Sequence, residues 1–276
     1  MPGHQIRKER EWELGLTTEA ELRKDCPPTE KPFYSYRLFR SICGEFIGCM
    51  LFLFFVITTA RFTASAGDNE GISIQLLVSA AFGLSIFVLV YIMADVSGAH
   101  LNPAVSIGLL VGKRISIERF LIYVPTQMAG ALAGAAIATT FLGSTSGGAN
   151  EISEGVSVED AFGGEVLCTF LLMITVFSAC DGELARKNSG APLLPLVIGM
   201  AVLLAHLVMI PIDGCSINPA RTFATAVTNN MWDDHWVFWV GPLLGGVLGT
   251  VVWEAVLRPD QVVDEENKTI VQAATV

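Results

Sequence analysis

The chain has 276 residues, of which 52% are hydrophobic and only 16% are charged, with a net charge of −10. A soluble domain carries about 25% charged residues, and the apolar runs here approach the ~20 residues that cross a bilayer, so a soluble protein is excluded. The Lys and Arg residues flank the apolar runs and form no basic stripe, which excludes nucleic acid as a partner.

In chain order, the apolar runs predict an all-α membrane protein with six spans. These cover residues 39–61, 72–95, 117–142, 162–180, 191–211 and 235–256. Polar tails at 1–38 and 257–276 flank them. An even number of spans puts both tails on one side, and the segments on that side hold 15 of the 17 Lys and Arg residues. The positive-inside rule therefore predicts cytoplasmic termini, with only Arg61 and Arg221 left on the far side.

The chain divides into two similar halves, 39–142 and 162–256, joined by an extracellular connection at 143–161 that is rich in Gly and Ser at its start. A Gly-Glu pair opens each half, with Glu45 and Glu165 separated by 120 residues, and an Asn-Pro-Ala tripeptide recurs after 116 residues. Because each half has three spans, the second copy must enter the membrane upside down. The sequence therefore predicts an inverted 3+3 repeat.

The two tripeptides are Asn102-Pro103-Ala104 and Asn218-Pro219-Ala220. Each begins a short apolar stretch, at 103–112 and 219–230. As helices these would be about 15–18 Å long, which is half of a hydrocarbon core of about 30 Å. Both stretches are therefore predicted to re-enter the membrane as half-helices without crossing it.

Asparagine and proline suit the start of these half-helices. Asn is a favoured N-cap, and Pro at the first helical position gives up no useful N–H. Inverted symmetry brings two N-termini together near the midplane, where each carries about half a positive charge and repels cations. If Asn102 and Asn218 both donate to one water, its hydrogens point outward and a chain of hopping protons is interrupted. A simple Asn-Pro turn is the alternative, which two copies in an inverted repeat disfavour.

Carboxylates inside a span are costly, so Glu45 and Glu165 require a function. We expect them to be structural anchors that accept N–H groups from the irregular chain before each half-helix. Gln127 in the third span is expected to assist. A proton relay is the alternative, but no periodic polar pattern connects the two glutamates.

Two segments carry a family resemblance: Ser97-Gly-Ala-His-Leu-Asn-Pro-Ala-Val105 and Gly214-Cys-Ser-Ile-Asn-Pro-Ala-Arg221. They resemble the signature loops of the major intrinsic protein family, the aquaporins, and the likeness extends from about residue 37 to 257. It implies a right-handed bundle of six helices and two half-helices, with no cofactor. It also implies a homotetramer in the lipid bilayer with one water pore in each subunit.

The resemblance assigns the narrowest ring of the pore to Phe87, His206, Cys215 and Arg221, a set similar to that of water-selective, plasma-membrane members. Phe87 would narrow the opening, His206 and Arg221 would supply hydrogen-bond donors, and the fixed charge of Arg221 would oppose cations. The resemblance also implies a ladder of backbone carbonyl acceptors at Gly98, Ala99, His100, Gly214, Cys215 and Ser216.

Two further sites are predicted. Cys215 in the ring should be the site of mercurial block. Ser116 follows Lys113 and Arg114 and resembles a site for a basophilic kinase on the cytoplasmic side. Phosphate there would add nearly two negative charges beside a helix end.

Other functions remain as alternatives. A glycerol facilitator of the same fold usually has a small residue where this chain has His206, and Asp where it has Thr222. Hydrogen peroxide is close enough to water in size and polarity to pass. A coupled transporter also uses inverted repeats, but it needs carboxylates clustered at the midplane. An enzyme is not expected, because the sequence shows no nucleophile–base pair, and its six cysteines form no CxxC pair for a metal.

Overall fold

The structure is a computed structural model, and it describes residues 31–65, 71–142, 147–181 and 193–259. Within these ranges all regular structure is helical. The helices are α1 (Lys31–Ser65), α2 (Gly71–Ser97), α3 (Pro103–Val111), α4 (Ile117–Leu142), α5 (Val158–Asp181), α6 (Leu193–Asp213), α7 (Pro219–Asn229) and α8 (Val237–Val252), which continues into a π-helical turn (Trp253–Leu257). Most of both predicted tails, at 1–38 and 257–276, lies outside the described residues.

Six of these helices are long and apolar enough to cross a membrane, and they coincide with the six predicted spans. The other two, α3 and α7, have 9 and 11 residues. At 1.5 Å per residue they are about 14 and 17 Å long, so each reaches only about half-way through a bilayer core.

Several predicted boundaries differ from those in the structure. The first helix begins at Lys31, inside the predicted tail, and the last continues to Leu257. Helix α5 begins at Val158, inside the predicted connection, where Ser157 Oγ accepts the Asp160 N–H at 3.1 Å. Hydropathy detects the apolar part of a helix, whereas capping and polar turns decide where the helix ends.

Helix packing shows the two-fold pattern of the repeat. In the first half α1 packs against α4 and α2, and in the second half α5 packs against α8 and α6. Helices α2 and α6 join the halves. The half-helices are exchanged: α3 packs mainly against α8 of the second half, and α7 against α4 of the first.

Glycine permits the closest of these helix contacts. A Cβ added to Gly130 in α4 would lie 2.3 Å from the carbonyl oxygen of Phe46 in α1. The symmetric contact is between α8 and α5, where a Cβ on Gly245 would lie 2.4 Å from the carbonyl oxygen of Val166. Larger residues would separate these helices, so glycine is required at both positions for close packing.

The bundle has two ends. At the terminal face, where α1 begins, Ser41 Oγ donates to the Val96 carbonyl at 3.0 Å, and Arg114 pairs with Asp181 and with Glu254, the latter at 2.9 Å. The far face lies at the opposite end of the helices, where α1 and α4 end and α5 begins.

Candidate functional site

Two irregular segments precede the half-helices and run through the interior of the bundle. Gly98–Leu101 precedes Asn102, and Gly214–Ile217 precedes Asn218. Both use the left-handed region of backbone space, with positive φ at Gly98, Ala99, Leu101, Gly214, Cys215 and Ile217. Such a backbone cannot form helical hydrogen bonds, and a non-glycine residue in it costs about 1–2 kcal/mol, so surrounding contacts must hold it in place.

Glu45 holds the first segment. Its Oε1 accepts the Ser97 hydroxyl at 2.7 Å and the His100 N–H at 3.0 Å. Its Oε2 accepts the Leu101 N–H at 2.8 Å and Gln127 Nε2 at 2.7 Å. The carboxylate therefore binds four donors, which offsets the cost of burying it completely.

Gln127 uses both of its amide hydrogens in this cluster. Besides Glu45, Nε2 donates to Ser106 Oγ at 2.9 Å, and Ser106 in turn lies 3.1 Å from His100 Nδ1. The His100 side chain is therefore fixed inside the bundle, against the ring of Tyr123.

Glu165 holds the second segment in the symmetric position. Its two carboxylate oxygens accept the Ser216 N–H at 2.6 Å and the Ile217 N–H at 2.7 Å. Asp213 assists by accepting the Cys215 N–H at 2.9 Å through Oδ1. Glu165 thus binds fewer donors than Glu45, although both are fully buried.

The carbonyls of these segments are largely unoccupied. Among hydrogen bonds between described residues, none ends on the carbonyl oxygen of Gly98, Ala99, His100, Cys215 or Ser216. Of the six predicted ladder carbonyls, Gly214 has a partner, since it accepts Arg221 Nη2 at 3.0 Å.

The two half-helix N-termini meet inside the bundle. Asn102 and Asn218 are their N-caps, and the side-chain oxygens accept the N–H of Ala104 at 2.8 Å and of Ala220 at 3.1 Å. Each amide nitrogen also crosses to the other half. Asn102 Nδ2 donates to the Ile217 carbonyl at 2.7 Å, and Asn218 Nδ2 donates to the Leu101 carbonyl at 2.9 Å.

This exchange fixes the orientation of both amides. An asparagine amide has two hydrogens. Asn102 and Asn218 each use one of them in the bond to the other half. The second hydrogen of Asn102 and that of Asn218 have no acceptor among the described residues. The structure therefore brings two donors together at the meeting point of two helix N-termini.

Towards the far face, an aromatic ring, a histidine and an arginine converge. The Phe82 and His206 rings have centroids 3.9 Å apart, and the Arg221 guanidinium carbon lies 5.5 Å from the Phe82 centroid. All three side chains are buried, as is that of Cys215.

Phe87 is not part of this cluster, and its predicted position in the ring is wrong. It lies about 7.5 Å further along α2 and about 140° around it. There its Cβ faces Gly199 of α6, in the contact between the two helices. Phe82 occupies the predicted place. The sequence offers both phenylalanines on one span, and only the face of the helix distinguishes them.

The predicted donor function of His206 also needs correction. Its Nδ1 lies 2.8 Å from the Val202 carbonyl, which can only accept, so Nδ1 carries the hydrogen. In the neutral ring Nε2 is then an acceptor, and Nε2 is buried without a partner among the described residues. Arg221 supplies the donors, and its Nε is likewise unpartnered there.

Asn150 is a site residue that the sequence analysis missed. It comes from the connection between the halves, and its Oδ1 accepts from Arg221 Nη1 and from the Thr222 hydroxyl, the latter at 2.7 Å. No local motif marks it. Only the course of the connection over the second half reveals the contact.

At the terminal face a cavity of about 300 Å³ reaches Gly98 and His100 and is bordered by Arg114 and Asp181. Ser116, the predicted phosphorylation site, lies beside it as the N-cap of α4. Its Oγ accepts the Arg119 N–H at 3.2 Å.

Comparisons with known proteins agree on one family. The family model described as "Major intrinsic protein" matches residues 33–253. The chain is similar to "Probable aquaporin PIP2-4" of Arabidopsis thaliana, with 41% identity over 85% of this chain and 87% of the relative. It is also similar to "Probable aquaporin PIP2-7" of Oryza sativa subsp. japonica, with 42% identity over 81% of each chain.

A solved structure resembles the fold. The aquaglyceroporin from Plasmodium falciparum matches with a TM-score of 0.71 and 21% identity, over 80% of this chain and 97% of that one. At this identity the likeness concerns the fold alone.

Proposed function

Because this chain belongs to the major intrinsic protein family, we propose that it is a membrane channel which conducts water along osmotic gradients and excludes protons and ions. The relatives that it matches over most of its length are named aquaporins. It is a channel and not an enzyme, and the transported substrate is water.

The observation that carries this function is the paired arrangement of Asn102 and Asn218. Each side chain has one amide hydrogen without an acceptor among the described residues. Both hydrogens lie where two helix N-termini, which carry partial positive charge, meet. A water there accepts from both amides through its oxygen, so its own hydrogens point along the pore in opposite directions. Water passes, but a proton cannot hop through this point. The helix ends also repel cations.

The rest of the path supplies acceptors and one fixed charge. The unoccupied carbonyls of Gly98, Ala99, His100, Cys215 and Ser216 can accept hydrogens from successive waters. Phe82, His206 and Arg221, with Cys215, form the proposed selectivity filter. The Arg221 Nε–H and the His206 Nε2 acceptor replace hydrogen bonds that a water loses as it enters.

A filter narrowed by Phe82 and His206 favours water over glycerol, which is larger and needs a wider opening with a more apolar lining. Hydrogen peroxide is similar to water in size and polarity, so peroxide is the second candidate substrate.

We place the channel in the plasma membrane as a homotetramer with cytoplasmic termini. The names of the relatives support the first point, and the distribution of Lys and Arg supports the orientation. Large apolar side chains exposed along the spans, such as Leu84, Leu167 and Val208, offer surface for lipid and for neighbouring subunits.

Ser116 is proposed as a phosphorylation site. Two basic residues precede it, and its neighbours Ile115 and Arg119 line the terminal-face cavity. Mass spectrometry of the phosphorylated protein, with Ser116→Ala as the control, tests this assignment.

Stopped-flow light scattering of proteoliposomes tests the function. Vesicles with the purified protein should shrink rapidly in sucrose, take up no glycerol and show no proton leak to an internal pH-sensitive dye. Rapid glycerol uptake would assign the protein to the facilitators, and a water flux equal to that of empty vesicles would contradict the proposal.

A further inference from the structure

The connection between the halves is fastened to the second half on the far face. The Glu151 N–H donates to the Asp213 carbonyl at 3.2 Å, and the Ser153 N–H donates to the Ile212 carbonyl at 2.9 Å. Further back, the Gly147 carbonyl accepts from Arg61 Nε at 3.3 Å. These contacts hold residues 151–153 against the end of α6 and Gly147 against the end of α1.

The Asn150 side chain points from this connection into the interior of the protein, next to the filter, and the residue is 7% exposed. Its Nδ2 donates to the Asp213 carbonyl at 3.1 Å, which fixes the amide plane. The opposite atom, Oδ1, therefore faces half-helix α7, where it accepts from Arg221 and Thr222.

Two neutral acceptors hold the Arg221 guanidinium. Nη1 binds Asn150 Oδ1, and Nη2 binds the Gly214 carbonyl at 3.0 Å. Among the ion pairs of the described residues none includes Arg221. The guanidinium is therefore held in position by neutral groups without a direct ion pair, and Nε has no partner among the described residues.

We propose that Asn150 is a positioning residue of the filter, which acts on permeation through Arg221. It holds the guanidinium beside Phe82, so that the lumen stays open and the positive charge stays at the filter. Without this acceptor, Nη1 is left buried and unpaired. The side chain then turns towards other acceptors, which are the carbonyls and waters of the pore itself.

A double-mutant cycle separates this function from a purely structural one, and it rests on the water-channel function proposed above. The variants are Asn150→Leu, Arg221→Ala and the double variant, each compared with wild type by water flux per reconstituted channel. We expect Asn150→Leu to lower the flux about threefold or more in the wild-type background and to have no effect beside Arg221→Ala, since directly coupled residues are non-additive. An equal loss in both backgrounds would overturn the proposal.

Thr222→Val is the matched control, because it removes the other hydrogen bond to Asn150 Oδ1 and leaves the contact with Arg221 in place. It should conduct water within about twofold of wild type, since retained contacts give small changes. If it conducts as poorly as Asn150→Leu, the Arg221 contact is not the cause. Should Asn150→Leu not reconstitute, the same cycle with Asn150→Ala decides. Wild-type vesicles without water flux would instead contradict the channel function itself.

Discussion

The Arg61 guanidinium, near the end of α1, donates to the side-chain oxygen of Asn229, the last residue of α7, at 3.0 Å. It also donates to Thr139 Oγ1 at 2.8 Å, and it is 1% exposed. One side chain thus joins the first and third spans to the C-terminal end of the second half-helix. A cation there also complements the negative end of the helix dipole.

Replacing Arg61 should destabilise the protein. Arg61→Met removes three hydrogen bonds from a charged donor to half-buried acceptors, and we expect a loss of about 2 kcal/mol or more in the free energy of unfolding. Thermal unfolding in detergent measures this. Arg258→Met is the control, because Arg258 pairs with Glu254 in a partly exposed ion pair that contributes little to stability. Equal melting temperatures for the two variants would contradict the prediction.

The two buried glutamates should differ in their tolerance to substitution. Glutamine replaces one carboxylate oxygen by an N–H₂ group, which opposes the N–H donors on that side. Because Glu45 binds four donors and Glu165 two backbone donors, we expect Glu45→Gln to be the more destabilising, by about 1 kcal/mol or more. Melting temperatures of the two variants provide the comparison, and a lower value for Glu165→Gln would reverse the ranking.

The two phenylalanines of α2 offer a matched test of the filter. Phe82→Ala removes the ring beside His206 and Arg221 and should raise glycerol uptake about tenfold, since pocket size sets such discrimination. Phe87→Ala removes a ring of the same size from the contact with α6 and should leave glycerol excluded. Stopped-flow swelling in glycerol distinguishes them. Uptake through Phe87→Ala but not through Phe82→Ala would restore the original assignment.

Mercury should act through Cys215. The thiol belongs to the segment 214–217 beside Arg221, so a bound mercury would obstruct the proposed filter. Cys215→Ser is expected to keep its water flux in mercuric chloride, whereas Cys168→Ser on α5 should be blocked like wild type. Full inhibition of Cys215→Ser would show that another cysteine is the target.

The sequence alone was sufficient to predict the features that occur in both halves of the structure. The six spans follow from apolar length, and the half-helices from Asn102 and Asn218 at equivalent positions of two inverted halves. Glu45 and Glu165 could be found because a carboxylate in an apolar run must have donors. In the structure both glutamates accept the N–H groups that precede the half-helices.

The features that the sequence did not reveal depend on how helices, side chains and loop segments are oriented in the folded protein. Choosing Phe82 over Phe87 requires the rotation of α2 about its axis, and a helix that is apolar on all sides carries no such signal. Asn150 lies in an irregular connection, so its contact with Arg221 depends on the path of that segment. The hydrogen position on His206 depends on a carbonyl four residues earlier in its own helix.

The exchange of the half-helices has a consequence for biosynthesis. Helix α3 packs mainly against α8, which is synthesised after the other described spans, while α7 packs against α4 of the first half. The first half-helix must therefore wait for its main neighbour until the sixth described span has been made. Neither half can become a finished channel alone, and two separately made fragments would have to be present in the same membrane before either acquires its pore.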